Sequence, residues 1–166
     1  MKLKGKVWIF GDNINTDLMS PGHVKTLPEE EQAKYCMDAN RPGWSKEVQR
    51  GDILVAGRNF GCGSSRPAAK ALLSLGLSCA LAESVTGLFL RNAINLGFPV
   101  LSLDGISKMF QEGDTAEVDF DTGQIKNMRT GEMRSAKPLP PALIKIVESG
   151  GIIPQLKTEG YLKDTY

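Results

Sequence analysis

Gly57-Arg-Asn-Phe-Gly-Cys-Gly-Ser-Ser-Arg-Pro67 follows the apolar run Ile53-Leu-Val55 and precedes the helix-forming segment Ala68 to Leu75. That order predicts a strand, a flexible loop and a helix start. Glycines at 57, 61 and 63 leave room for backbone to approach a ligand, while Ser64, Ser65 and Arg66 bring two hydroxyls and a guanidinium. The first N–H groups of a helix lack partners and lie at its positive end, so this loop suits a small anion. An arginine beside them offers a two-pronged grip on a carboxylate or phosphate. A plain turn between strand and helix is the alternative. The loop lacks the Gly-Lys-Ser/Thr ending of nucleotide loops and is not Gly-x-Ser-x-Gly.

Working outward, the alternation continues. We read strands over Asp52 to Ala56, Leu77 to Ala82 and Phe98 to Leu103, and helices over Ala68 to Gly76 and Leu88 to Leu96. Strands alternating with helices predict parallel pairing and a layered α/β core. Upstream, Lys4 to Phe10 reads as a strand, Gly11 to Gly22 as a turn-rich segment, and Leu27 to about Cys36 as a helix entered through Pro28. Downstream, Thr115 to Phe120 and Gln124 to Met128 flank Asp121-Thr-Gly123 as a hairpin. Ala142 to Ser149 reads as a helix stopped by Gly150-Gly151, and Pro154 to Tyr166 as a polar tail with weak structural signals. The expected organisation is one domain over residues 1–150 and a tail over 151–166, docked on the domain or on a partner.

Composition narrows the function. Twenty Lys and Arg against 19 Asp and Glu leave a net charge of +1, without the basic surplus that phosphate neutralisation needs, so nucleic acid is not an expected partner. No apolar run approaches the roughly 20 residues of a membrane span. Three cysteines (36, 62 and 79) without CxxC spacing fit a reducing cytoplasm better than a disulfide scaffold. With His23 the only histidine, no Ser-His-Asp triad can form, and no metal site is expected within the chain. Cys62 is a candidate nucleophile by position, yet without a histidine partner it reads better as a lining residue. Arg91 and Asn92 are expected to hydrogen-bond loop carbonyls, and Asp17, beside Thr16, could orient a catalytic histidine that the chain does not supply. The catalytic set is therefore incomplete, which points to a second chain.

Three ordered segments carry a resemblance: Gly11-Asp-Asn-Ile-Asn-Thr-Asp-Leu-Met-Ser-Pro-Gly22, Gly57 to Arg66, and Phe89-Leu-Arg-Asn-Ala-Ile-Asn95 with Gly97. Together they resemble the small subunit of 3-isopropylmalate dehydratase, the stand-alone form of the aconitase swivelling domain. The resemblance covers about residues 4–150. It implies an α/β fold of the swivelling β/β/α type, a mixed sheet with flanking helices. It implies a hydro-lyase of leucine biosynthesis, active only with a large subunit in a heterodimer or heterotetramer. That subunit would carry a [4Fe–4S] cluster, and this chain no cofactor. The substrate would be a small hydroxy-dicarboxylic acid, isomerised by dehydration and rehydration. The resemblance also assigns roles. Ser64 is the catalytic base, Arg66 binds a substrate carboxylate, and Ser65 is a second hydroxyl toward substrate. Asp17 matches the aspartate that supports a histidine from the rest of the enzyme.

Two departures stand out. Most members of that family follow the arginine with Glu-His or Glu-Gln, whereas this chain has Pro67-Ala68, which is expected to delay the helix start without removing Ser64 or Arg66. Where isopropylmalate and homoaconitate enzymes carry a Tyr-Leu sequence reading the substrate side group, this chain has His23-Val-Lys-Thr26. Lys25 and Thr26 are thus candidate substrate-binding residues. Lys25 suggests a polar or anionic substituent, unless it simply points to water. Homoaconitate, citraconate or maleate, and dimethylmalate stand as alternative substrates, and a non-catalytic dicarboxylate-binding module as an alternative class.

Overall fold

The computed structural model describes residues 1–24, 26–63 and 68–162. Seven strands form one mixed sheet: β1 (Lys2–Ile9), β2 (Ile53–Ala56), β3 (Cys79–Ala82), β4 (Val100–Ser102), β5 (Thr115–Asp119), β6 (Gln124–Asn127) and β7 (Met133–Ser135). Their spatial order is β4-β3-β2-β1-β5-β6-β7. The four on one side run parallel and the rest antiparallel. Among the described residues six α-helices accompany them: α1 (Thr16–Met19), α2 (Glu29–Ala33), α3 (Ala68–Ser74), α4 (Gly87–Asn95), α5 (Pro141–Glu148) and α6 (Ile152–Thr158). The expected mixed sheet with flanking helices is what the chain forms.

β1 holds the two halves together. Lys2 to Lys6 pair antiparallel with β5, and Val7 to Ile9 pair parallel with β2. The changeover follows Gly5, where a Cβ would stand 2.0 Å from the carbonyl oxygen of Gly51. Any side chain there would push the 51–52 turn away from β1.

Alternation along the parallel strands sorts the core into two faces. Trp8, Leu54, Ala56, Ala80 and Ala82 face a cluster closed by Ala68, Ala69 and Leu72 of α3 and Phe89 and Ala93 of α4. Val7, Ile53, Val55, Cys79 and Leu81 face the opposite cluster, with Val118, Ile125, and Ile144 and Val147 of α5. β2 and β3 are buried along their whole length because both faces are covered. The antiparallel half leaves one face to water, where Lys4 lies opposite Glu117 and Glu117 opposite Lys126. Such opposite-charge neighbours suit a solvated face.

Three expectations need correction. The turn-rich Gly11 to Gly22 segment contains α1, whose N-cap Asn15 accepts a hydrogen bond from Leu18 N–H through Oδ1 (2.9 Å). The hairpin is extended by β7, which pairs with β6. The weakly structured tail gives way to α6. Pro154 sits in its first turn, where no intrahelical donor is lost, and Lys145 of α5 pairs with Glu159 at 2.5 Å. The helix packs on α4 and α5.

Asp114 anchors the start of β5. It is buried, accepts hydrogen bonds from Gln111 N–H (2.9 Å) and Asn127 Nδ2 (2.8 Å), and pairs with Arg129. The Arg129 guanidinium, with these donors, holds its carboxyl well below the usual carboxylate range. A depressed folded-state pKa gives stability that is present above the unfolded-state value and lost as pH falls through the folded one. The urea midpoint is therefore expected to drop between about pH 5 and about pH 2. Asp114→Asn should be less stable at neutral pH but show a flatter acid limb. An unchanged acid slope in the variant would assign it to other carboxylates.

Candidate functional site

The parallel β1–β2 ladder does not stop where the strands end. Phe10 N–H donates to the Val55 carbonyl (2.8 Å), Gly57 N–H to Gly11 (3.0 Å) and Asn13 N–H to Arg58 (2.8 Å). Gly61 N–H then donates to Ile14 (2.8 Å) and Thr16 N–H to Cys62 (2.8 Å). Side chains add to this zipper: Arg58 N–H donates to Asp12 Oδ1 (2.7 Å) and Asn59 Nδ2 to Asn13 Oδ1 (2.9 Å). Thus 11–16 and 57–62, separated in sequence, run side by side at the carboxyl ends of the parallel strands, where open α/β sheets place their ligands.

The segment after β3 closes the other flank. Asn59 N–H donates to Ser84 Oγ (2.8 Å), Phe60 N–H to the Ser84 carbonyl (3.0 Å), and Thr86 Oγ1 to the Gly61 carbonyl (2.7 Å). From below, Phe89 packs edge-on against Phe60, ring centroids 5.1 Å apart. The glycine-rich loop is therefore held on both sides and underneath as far as Gly63.

Ser64, Ser65, Arg66 and Pro67, and Lys25 of the other motif, lie outside the described residues. What is described fixes where the loop leads. A Cβ on Gly63 would stand 3.1 Å from Thr16 Oγ1 and 3.7 Å from Thr16 N. Gly63 thus lies against the first turn of α1, which carries Asp17. At the far end, Ala68 enters the core as the first residue of α3, and α1 packs on α3. Asp17 is exposed and lines a cavity of about 510 Å³ with Asn15, Leu18, Pro21, Gly22, His23, Tyr35, Asp38 and Ala39. His23 meets Tyr35 edge-to-face at 5.9 Å. Thr26 lies in an exposed turn beyond Val24. A larger groove of about 640 Å³, around Arg50, Gly76 and Pro99, lies at the opposite end of the sheet, and among the described residues no carboxylate, imidazole or thiol lines it.

Charge at the carboxyl ends is mixed. Glu83 accepts from the Ser107 hydroxyl, which holds its carboxyl below the usual range, and Arg58 stands 3.7 Å away. Arg91 and Asn92, expected on loop carbonyls, make no side-chain hydrogen bond among the described residues; Arg91 is exposed. The thiols divide by depth. Cys36 and Cys79 are fully buried, in clusters on opposite faces of the sheet, and burial pushes the Cys79 thiol up to about 12 and Cys36 higher still. Cys62 is half-buried in the loop. These thiols cannot converge on one iron–sulfur cluster, and no group of three ligating side chains able to hold a metal is found among the described residues. No described helix is long and apolar enough to cross a membrane.

Sequence reasoning named Asp12 and Asn13 only as turn formers and gave Asn59, Ser84 and Thr86 no role. Their signal lay in residue type, since Asn tolerates left-handed backbone and Ser and Thr hydroxyls bond loop amides. Which loop each would reach was not readable along the chain.

Comparison with known proteins agrees with this geometry. Residues 8–105 match the aconitase C-terminal domain family. A Methanocaldococcus jannaschii protein named isopropylmalate/citramalate isomerase small subunit is 47% identical over 158 residues, 93% of this chain and 94% of that one. A Thermodesulfovibrio yellowstonii 3-isopropylmalate dehydratase small subunit is 39% identical over 166 residues, 99% of each chain. A crystal structure of a 3-isopropylmalate dehydratase protein from M. jannaschii superposes with a TM-score of 0.86 at 34% identity, covering 97% of this chain and 96% of that one. With its paired loops at the carboxyl edge of a mixed sheet and relatives matched from end to end, the chain belongs to the aconitase C-terminal domain family, in its branch of 3-isopropylmalate dehydratase small subunits.

Proposed function

We propose that this chain is the small subunit of a two-subunit hydro-lyase that isomerises a hydroxy-dicarboxylic acid by dehydration and rehydration, with isopropylmalate as the first substrate to test. The observation that carries the reading is the zipper between the 11–16 and 57–62 loops, which delivers Gly63 to the turn bearing Asp17. The two sequence motifs thereby meet at one place.

Dehydration removes a proton from carbon beside a carboxylate. Ser64, one residue beyond Gly63, is the base, its anion stabilised by loop N–H groups and a neighbouring guanidinium. Arg66 grips a substrate carboxylate, two-pronged, and Ser65 adds a hydroxyl contact. Asp17 orients a histidine supplied by the partner. Lys25 and Thr26 are the residues assigned to reading the substituent that distinguishes one substrate from another. A [4Fe–4S] cluster on the large subunit supplies Lewis-acid iron for the substrate hydroxyl and carboxylate. The separated, buried Cys36 and Cys79 support placing it there.

The test is anaerobic co-expression with cluster-bearing large subunits, assayed on isopropylmalate, citramalate, homoaconitate, maleate and dimethylmalate. The pair should turn over at least one of them, and this chain alone none. Turnover by the isolated chain would overturn the two-subunit reading, and binding that modulates a partner without any turnover would favour a dicarboxylate-binding module.

A further inference from the structure

Of the three non-glycine residues that hold left-handed backbone among the described residues, two lie on the zippered loops: Asn13 at φ 56° and Asn59 at φ 59°. Each sits in one of the two zippered loops, and their side chains bond each other, Asn59 Nδ2 donating to Asn13 Oδ1 at 2.9 Å. Both are exposed. An exposed amide–amide hydrogen bond contributes little to stability, and a left-handed non-glycine residue costs more than glycine there. What these side chains add over glycine is a cross-link between the loops. Strained backbone that its surroundings over-determine clusters at functional sites.

We propose that Asn13 and Asn59 form a latch that positions the glycine-rich loop for catalysis rather than stabilising the fold. The latch lies just ahead of the bonds from Gly61 to Ile14 and from Thr16 to Cys62, which hold the loop shortly before Ser64. The backbone N–H of Asn59 is held independently by Ser84 Oγ, so removing the side chain leaves that anchor in place. The latch sets the lateral register of two loops, one leading to the base and the other carrying Asp17. Misplacement by about 1 Å can cost on the order of 100-fold in rate. This inference rests on the hydro-lyase reading above.

The test uses Asn59→Gly, Asn13→Gly and the double variant, each paired with the large subunit. Glycine adopts the required backbone freely, so thermal midpoints should stay within a few degrees of wild type. Turnover number should fall about tenfold or more in each single variant, with KM changed less. The double variant should lose no more than either single one, because both remove the same bond. A stability-only role would lower the midpoint and leave turnover per folded pair intact. In the isolated chain, hydrogen exchange at the Gly61 and Thr16 amides should accelerate in Asn59→Gly while β2 and β3 stay protected. Turnover within twofold of wild type, or unchanged exchange at Gly61 and Thr16, would overturn the latch. An inactive wild-type pair would instead count against the hydro-lyase reading, and the exchange measurement would still decide the latch.

Discussion

Ser64→Ala is expected to abolish turnover by the reconstituted pair while leaving assembly unchanged. A positioned base contributes about 10²–10⁴-fold to proton transfer, and alanine has no atom that can take its place. The substitution removes one oxygen from a loop whose approach is fixed upstream, by the Gly61 and Cys62 backbone bonds to the 11–16 loop. Nothing in those bonds depends on the Ser64 side chain. The variant should therefore co-elute with the large subunit and lose kcat at saturating substrate. KM should move less, since the carboxylate contact proposed for Arg66 is kept. A pair retaining more than about one tenth of wild-type kcat would leave Ser64 without the role of base.

Gly61→Ala should produce the largest loss of stability among substitutions near the site. Its φ of 75° is left-handed, and a Cβ would fall 2.2 Å from Phe89 Cγ and 2.3 Å from Phe89 Cβ. Phe89 is 2% exposed and cannot swing into solvent without opening the cluster it closes. Left-handed backbone costs alanine about 1–2 kcal/mol, and overpacking about 1–3 kcal/mol more. The sum is roughly 2–5 kcal/mol, readable from urea unfolding midpoints. Gly113→Ala is the control: its φ is 89°, but nothing lies within 4 Å of the added Cβ. It should show the conformational part alone. Equal losses in the two variants would mean that Phe89 yields without cost.

Local chemistry announced much of this molecule. The apolar runs at Ile53–Ala56 and Cys79–Ala82, separated by a helix-forming segment, declare buried parallel strands because both faces of such strands are covered. The α1 signal was present in Asn15, a good N-cap, but a four-residue helix is too short to show periodicity. β7 is a three-residue edge strand and α6 a seven-residue helix with Pro154 in its first turn, so neither is long enough to display a clear period. The division of β1 between two partners depends on Gly5 meeting the Gly51 carbonyl, a contact across many residues of chain. The site was legible as two motifs, and their union was not. Asn13 and Asn59 look like ordinary turn residues until their loops are laid together.

The shared strand β1 has a consequence for how the molecule comes apart. Leu3 is committed to Val118 and Trp8 to Leu54 within the same eight residues. Neither half can peel away intact, because whichever departs without β1 is left with a bare inner edge. A break between Leu103 and Thr115 would accordingly not yield two autonomous modules. One piece would keep the strand, and the other would be an orphaned three-stranded sheet, with α5 and α6, seeking a replacement. Loss of structure is therefore expected as a single concerted event that takes the catalytic edge with it.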